Sequence, residues 1–353
     1  MTLAAWLHNI DPFAIRLTDT FGLRWYGLSY VAGFFAAYLL LRWMGKRELT
    51  PIKPERAADV IVTLALSAVI GGRLGYVLFY QPSLLFEFQP GLPFWGVFML
   101  SQGGMASHGG IIGAGIGGWL VSRGHKDATG RRVDKLPLLH MADIPSLIAP
   151  FGLLFGRLAN FINGELLGRI VAMPGEPAPW WSVKFPQELL SAHAPVMTDA
   201  QYVQFSVLRE RAGAGLPPSE ATARLIDQVQ SGNAELAAQL APLLSARHPS
   251  QLYQAVADGI LVGLVVWWVW RRPRVPGVVC CWFLISYGVL RMATEYWRLP
   301  DAHLEVQRML GLTRGQWLSA ALIIIGVVTL PILKRRGGQT FGGWGKKAMA
   351  PGH

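Results

Sequence analysis

Long apolar runs recur along the chain, and each is bounded by polar or basic residues. Seven of them approach the roughly 20 residues that a helix needs to cross the hydrocarbon of a bilayer. They are Trp25–Trp43, Ala57–Tyr80, Phe94–Val121, Ile144–Ile162, Leu252–Trp270, Val278–Trp297 and Trp317–Leu333. The third is rich in glycine and reads as interrupted. The pattern predicts an all-α integral membrane protein with seven transmembrane helices.

Between the fourth and fifth runs the pattern turns polar. Residues 164–251 hold a Pro- and Trp-rich start, Met173 to Pro186, followed by amphipathic helical stretches. Thr198 or Asp199 is placed to cap one helix, and Ser219, after Pro217 and Pro218, another. The organisation that follows is four segments. Residues 1–163 form an N-terminal arm with helices 1–4, and 164–251 a head. Residues 252–333 form helices 5–7, and 334–353 a tail.

Composition supports a membrane protein. Hydrophobic residues are 52% of the chain and charged residues only 15%, against about 25% charged in soluble domains. The net charge is +11. Its location argues against nucleic acid, because the Lys and Arg sit in short loops between apolar runs. Lys46, Arg47, Lys53 and Arg56 follow the first run. Arg123, Lys126, Arg131, Arg132 and Lys135 follow the third, and Arg271, Arg272 and Arg274 the fifth. Lys334, Arg335 and Arg336 begin the tail, whereas residues 81–93 carry no Lys or Arg. Positive charge marks cytoplasmic loops, so the N-terminus and the head are expected in the periplasm and the C-terminus in the cytoplasm. The N-terminus lacks the pattern of a cleavable signal peptide. Cys280 and Cys281 are adjacent within an apolar run, which fits small buried fillers rather than a metal or disulfide framework.

Charged groups at membrane depth are costly and face a partner or a cavity. In the sixth run Tyr287, Arg291, Glu295 and Arg298 recur at helical spacing, within about 80° of one another on one face. One reading is an internal Arg–Glu pair holding helices together, although Arg before Glu is the weaker order. The other is a stripe whose surplus positive charge takes an external anion. The fourth run ends in Gly156-Arg157-Leu158-Ala159-Asn160-Phe161-Ile162-Asn163-Gly164-Glu165-Leu166-Leu167-Gly168-Arg169. If that segment is helical throughout, Arg157, Asn160, Gly164 and Gly168 share a face. Arg73, behind Gly71 and Gly72, is a further guanidinium, either functional or snorkelling to an interface.

In the third run Gly109, Gly113 and Gly117 form a face for close helix contact. His108 sits before them, a structural imidazole or the natural base of a nearby site. Tyr26 opens the first run, as a belt aromatic or a site residue. Several guanidiniums with amides, carboxylates and one imidazole suit a phosphate-bearing lipid, because the Arg fork is planar and always charged. No metal cluster, Walker loop, dinucleotide fingerprint or GxSxG elbow is present in the sequence. A transporter or lipid receptor remains open on these grounds, as does a structural scaffold. A transporter usually repeats its broken helices in two halves, and no such repeat is seen.

Several motifs together resemble those of the prolipoprotein diacylglyceryl transferase family. They are Trp25-Tyr26-Gly27, Ser107-His108-Gly109-Gly110-Ile111-Ile112-Gly113, the Gly156–Glu165 run, His248-Pro249-Ser250-Gln251-Leu252-Tyr253, and Arg291 through Glu295 to Arg298-Leu299-Pro300-Asp301. They fall in order over most of the chain. The resemblance implies transfer of an sn-1,2-diacylglyceryl group from phosphatidylglycerol to the lipobox cysteine thiol of bacterial prolipoproteins. A thioether forms and glycerol phosphate is released. It implies a multi-pass protein of the bacterial inner membrane whose partners are phosphatidylglycerol, prolipoprotein signal peptides and membrane lipids. No cofactor is expected. Carried over by motif, Tyr26, His108, Arg157, Arg291 and Glu295 are the expected catalytic set. Arg157, Asn160, Glu165, Gly168, Arg73, Tyr287 and Arg298 are expected to hold the lipid. The chain departs from the family at Gln254, where Glu is common, at Arg24, and in a long stretch from His193 to Arg247.

Overall fold

The computed structural model describes residues 5–18, 21–99, 104–126, 128–299, 308–309 and 311–344, the side chains of residues 107, 108, 308, 309 and 314 excepted. Its long elements are all helical. Among the described residues six helices are long and apolar enough to cross a membrane. These are α1 (Trp25–Lys46), α2 (Ala57–Phe79), α4 (His140–Asn163), the composite helix Ser250–Trp270, α10 (Val278–Thr294) and α11 (Arg314–Arg336). A shorter apolar helix, α3 (Ser107–Ser122), stands where the third run was expected.

That third run is corrected. Phe94–Val121 is not one helix, because Gly96–Phe98 is a single 3-10 turn and the α-helix begins only at Ser107. The glycine face of α3 packs as expected. A Cβ on Gly113 would sit 3.0 Å from the Gly71 Cα, and one on Gly75 would sit 2.8 Å from the Gly109 Cα. The two backbones meet where only hydrogen atoms fit.

Arg73 satisfies backbone carbonyls of residues 96, 97, 99 and 104, which precede α3. Its buried guanidinium donates to the carbonyls of Val97 (2.7 Å), Gly96 (2.8 Å), Gly104 (2.9 Å) and Met99 (3.3 Å). Backbone oxygens without helical partners thereby find donors in an apolar setting.

The composite helix is irregular in its middle. It runs as α8 (Ser250–Gln254), a π-helical segment (Ala255–Leu261) and α9 (Val262–Trp270). Insertions of this kind recur at functional sites. Gly259 sits here against α4, since a Cβ would meet the Leu154 Cα at 2.9 Å.

Residues between α4 and α8 fold into helices and a small sheet. α5 (Asp199–Gly213), α6 (Pro218–Gln230) and α7 (Ala234–Leu240) bury Phe205, Leu208, Leu225, Val229, Leu236 and Leu240 together. Thr198 caps α5 in a capping box with Gln201, as read from the sequence. Ser219 is not a cap. Proline is pre-set for a first helical turn, so α6 starts at Pro218 and takes Pro217 as its N-cap. The sheet joins β1 (Trp6–Leu7), β3 (Val183–Lys184), β4 (Ala246–Arg247) and β2 (Ile170–Ala172) in that order. The N-terminal arm is thus part of this layer. Its hairpin adds Arg16, which pairs with Asp11 at 2.9 Å and with Asp227 of α6 at 3.0 Å. From the strand Ala246–Arg247, Arg247 forms a fully buried pair with Glu188 at 2.6 Å.

The chain divides into two compact units. One comprises Met1–Gly33, Ala149–Leu264 and Leu284–Ile325, and the other Phe34–Ile148, Val265–Phe283 and Gly326–His353. In the second unit Asp143 caps α10 by accepting the amides of Gly277 (2.7 Å) and Cys280 (2.8 Å). Cys280 and Cys281 are free thiols, Cys281 buried.

Candidate active site

The Gly156–Arg169 run changes conformation half-way. α4 stops at Asn163, and Gly164 adopts φ +69°. The Glu165 amide donates to the Asn160 carbonyl at 2.9 Å, and the Gly164 amide to that of Phe161 at 3.0 Å. These two bonds make a Schellman C-cap, which requires the left-handed residue that glycine supplies. A single helical face through Gly164 and Gly168 is therefore corrected, because both lie beyond the helix.

The cap turns the Glu165 carboxylate back onto the helix end. Its Oε2 accepts from the Asn160 carboxamide at 2.9 Å and its Oε1 from Asn163 at 3.1 Å. The following loop is fastened by its carbonyls. Gln251 donates to Glu165 O, Ser250 to Leu166 O at 2.9 Å, and Arg247 to Gly168 O at 3.2 Å. Gly168 pairs with Arg298 as a β-bridge, and a Cβ on it would collide with the His248 carbonyl. Glycine at this position is a packing requirement.

The stripe on the sixth run is corrected at its end. α10 ends at Thr294, Glu295–Trp297 is a 3-10 turn, and Arg298 is extended. A phase of 100° per residue does not carry through to Arg298, which reaches the site through its bridge to Gly168. Arg291 and Glu295 do pair, at 2.7 Å with both side chains about one-tenth exposed. Glu295 also accepts from the Thr313 hydroxyl at 3.2 Å.

Arg157, on the last turns of α4, meets the Asp258 carboxylate, Nε to Oδ2 at 3.8 Å. It also lies within electrostatic reach of Arg291, Tyr287 and Arg298. Tyr287 is hydrogen-bonded to Arg291. Tyr26 lies near enough to Glu165 and Arg157 to feel both charges, and its phenol is 3.3 Å from that of Tyr30. One unit therefore gathers Tyr26, Arg157, Asn160, Glu165, Gly168, Tyr287, Arg291, Glu295 and Arg298. Arg157, Arg291 and Arg298 thus stand in one unit with the carboxylates of Asp258, Glu165 and Glu295. Planar, always-charged guanidiniums grouped in this way suit an anion such as a phosphate ester.

A family model described as prolipoprotein diacylglyceryl transferase matches residues 12–332. The chain belongs to the prolipoprotein diacylglyceryl transferase family. Among curated family members, the phosphatidylglycerol–prolipoprotein diacylglyceryl transferase of Bdellovibrio bacteriovorus is 38% identical over 356 residues, covering 96% of this chain and 97% of its own. That of Geobacter sulfurreducens is 34% identical, covering 93% and 97%, and that of Neisseria gonorrhoeae 35%, covering 91% and 95%.

Two further residues expected in the family site, Arg73 and His108, belong to the second unit. Arg73 has its donors on loop carbonyls. His108 lies in the first turn of α3, and its side chain is outside the described residues; so are Pro300 and Asp301. Sequence reasoning missed Asp258 and the Arg247–Glu188 pair. Asp258 carried a usable signal, because it is a lone carboxylate in the apolar run Leu252–Trp270 and falls under the rule that singled out Arg291.

Proposed function

We propose that this protein transfers the sn-1,2-diacylglyceryl group of phosphatidylglycerol to the lipobox cysteine of a prolipoprotein. The observation that carries the reading is the grouping of Arg157, Arg291 and Arg298 with Tyr287, in a chain that belongs to this transferase family. The relatives' names supply the two substrates, and the cluster supplies a home for the phosphate.

The thiolate sulfur attacks the glycerol carbon that bears the phosphate ester. A C–S bond forms, the C–O bond breaks, and the oxygen leaves with the phosphate as glycerol phosphate. The thiol proton passes to a base, which we assign to His108, and a thiol near pKa 8.5 needs that help. Negative charge grows on the leaving phosphate as the C–O bond breaks, so donors already aimed at it lower the barrier. Arg157 and Arg291 take that role. Glu295 holds Arg291 at 2.7 Å. Asn160 and Tyr26 orient the headgroup, while Glu165 keeps Asn160 in place through its carboxamide. Tyr287 and Arg298 complete the lipid set. Arg73, also expected to hold the lipid, donates to the carbonyls of the loop before α3.

In this reading α3 completes seven spans, with the N-terminus and the head periplasmic in the inner membrane. Charge distribution supports that orientation, as does access to a secreted lipobox peptide. A reporter fused after Leu333 is expected to act as cytoplasmic and one inserted near Gly213 as periplasmic. The reaction is tested with purified protein, phosphatidylglycerol and a lipobox peptide, read as the peptide's gain of one diacylglyceryl mass.

A further inference from the structure

Asp258 is fully buried in the π-helical segment Ala255–Leu261. Neither of its carboxylate oxygens accepts a hydrogen bond from any described residue. Its ionic contact is Arg157, at 3.8 Å from Nε. One turn earlier Gln254 is equally buried, and neither its oxygen nor its nitrogen has a hydrogen-bond partner among the described residues. A carboxylate kept at this depth with so little local support is costly, and its removal leaves a buried guanidinium uncompensated.

The charges around it indicate its use. Arg157 feels Asp258 as an attraction and Arg291 and Arg298 as repulsions. Asp258 also feels all three guanidiniums. Without it, Arg157 would lose its ionic contact and the three positive charges would face one carboxylate fewer. The donor lipid's phosphodiester carries one negative charge, whereas a phosphate monoester carries about 1.5 to 2 at neutral pH. Each added positive charge therefore favours the leaving product over the incoming substrate.

We propose that Asp258 is the positioning residue of Arg157 and that its charge keeps the guanidinium cluster from over-binding the released glycerol phosphate. It acts through Arg157 and does not touch the reacting atoms. The inference rests on phosphatidylglycerol being the donor.

The test is steady-state transfer by the full-length enzyme in detergent, with added glycerol phosphate as inhibitor. Asp258→Asn keeps the shape and removes the charge. The expected result is a lower KM for phosphatidylglycerol, a lower kcat, and inhibition by glycerol phosphate at least about tenfold tighter, since removing a negative charge a few ångströms from the guanidiniums strengthens their hold on an anion. Asp258→Glu keeps the charge and is expected to restore the wild-type inhibition constant. Gln254→Glu adds a negative charge one turn away and is expected to weaken the inhibition, which keeps the proposal testable if Asp258→Asn does not fold. Asp258→Asn with unchanged KM, kcat and inhibition overturns it. So does equal impairment of Asn and Glu variants in step with melting temperature, or unaltered inhibition in Gln254→Glu. Wild-type enzyme that does not turn over phosphatidylglycerol at all would instead defeat the donor assignment.

Discussion

The Asn160 carboxamide donates to Glu165 Oε2 at 2.9 Å, while the Glu165 amide donates to the Asn160 carbonyl at the same distance. The two residues thus close a ring across the end of α4, through a glycine at φ +69°. Arg157 is one turn below that ring, so the turn sets where the guanidinium stands. Gly164→Ala places a Cβ in the left-handed region, at about 1–2 kcal/mol, and against the Gln187 side chain. We expect a lower melting temperature and a loss of transfer greater than stability alone predicts. Wild-type activity and melting temperature would refute this role for the turn.

Replacing Arg157 or Arg291 by Lys keeps the charge but loses the planar fork. We expect transfer to fall by about a hundredfold or more, the scale of losing one donor to a developing anion, with the protein still folded. Near-normal turnover in either variant would defeat the phosphate assignment.

Glu295→Gln separates two consequences of the 2.7 Å pair with Arg291. If the pair chiefly orients Arg291, kcat falls and melting changes little. If it chiefly stabilises, breaking a buried pair costs about 3–5 kcal/mol and activity follows melting temperature. The account predicts the first result, read by melting and transfer measured side by side.

Arg73→Lys is expected to lower stability, because four carbonyls share its guanidinium and an ammonium has only three protons. In the enzyme that remains folded, KM for phosphatidylglycerol should be unchanged. A large rise in KM at unaltered melting temperature would return Arg73 to the lipid site.

The head should lose stability in mild acid. His8 is buried between Trp6, Phe161 and Phe185. Burial lowers its pKa from 6.5 to about 4. Between those values the unfolded chain binds a proton that the folded one does not, so stability falls as pH drops from about 6.5 towards 4, by up to about 1.4 kcal/mol per pH unit. His8→Gln should flatten that part of the pH–melting curve. An equally steep curve in the variant would assign the effect to other groups.

Much of this was legible in the sequence because hydropathy and charge act over whole runs. Six spans begin or end within a few residues of the expected positions, and Arg157, Asn160 and Arg291 stand out as polar groups in apolar helices. What escaped depends on local events that periodicity does not carry. Gly164 ends α4 in mid-motif, and the helix gives out at Thr294 before Arg298. Both Gly168 and Arg298 reach the site through a β-bridge between two loops. The buried Arg247–Glu188 pair joins residues 59 apart. Asp258 escaped because a single acidic residue does not alter a run's hydropathy, although its cost in an apolar helix was a sufficient signal.

The most direct test is the transfer reaction itself, with purified protein, a lipobox peptide and either phosphatidylglycerol or phosphatidylethanolamine. The account predicts that the peptide gains one diacylglyceryl mass from phosphatidylglycerol, that a Cys-to-Ser peptide gains none, and that the net-neutral lipid is a poor donor. No mass gain from phosphatidylglycerol, or equal transfer from both lipids, would contradict it.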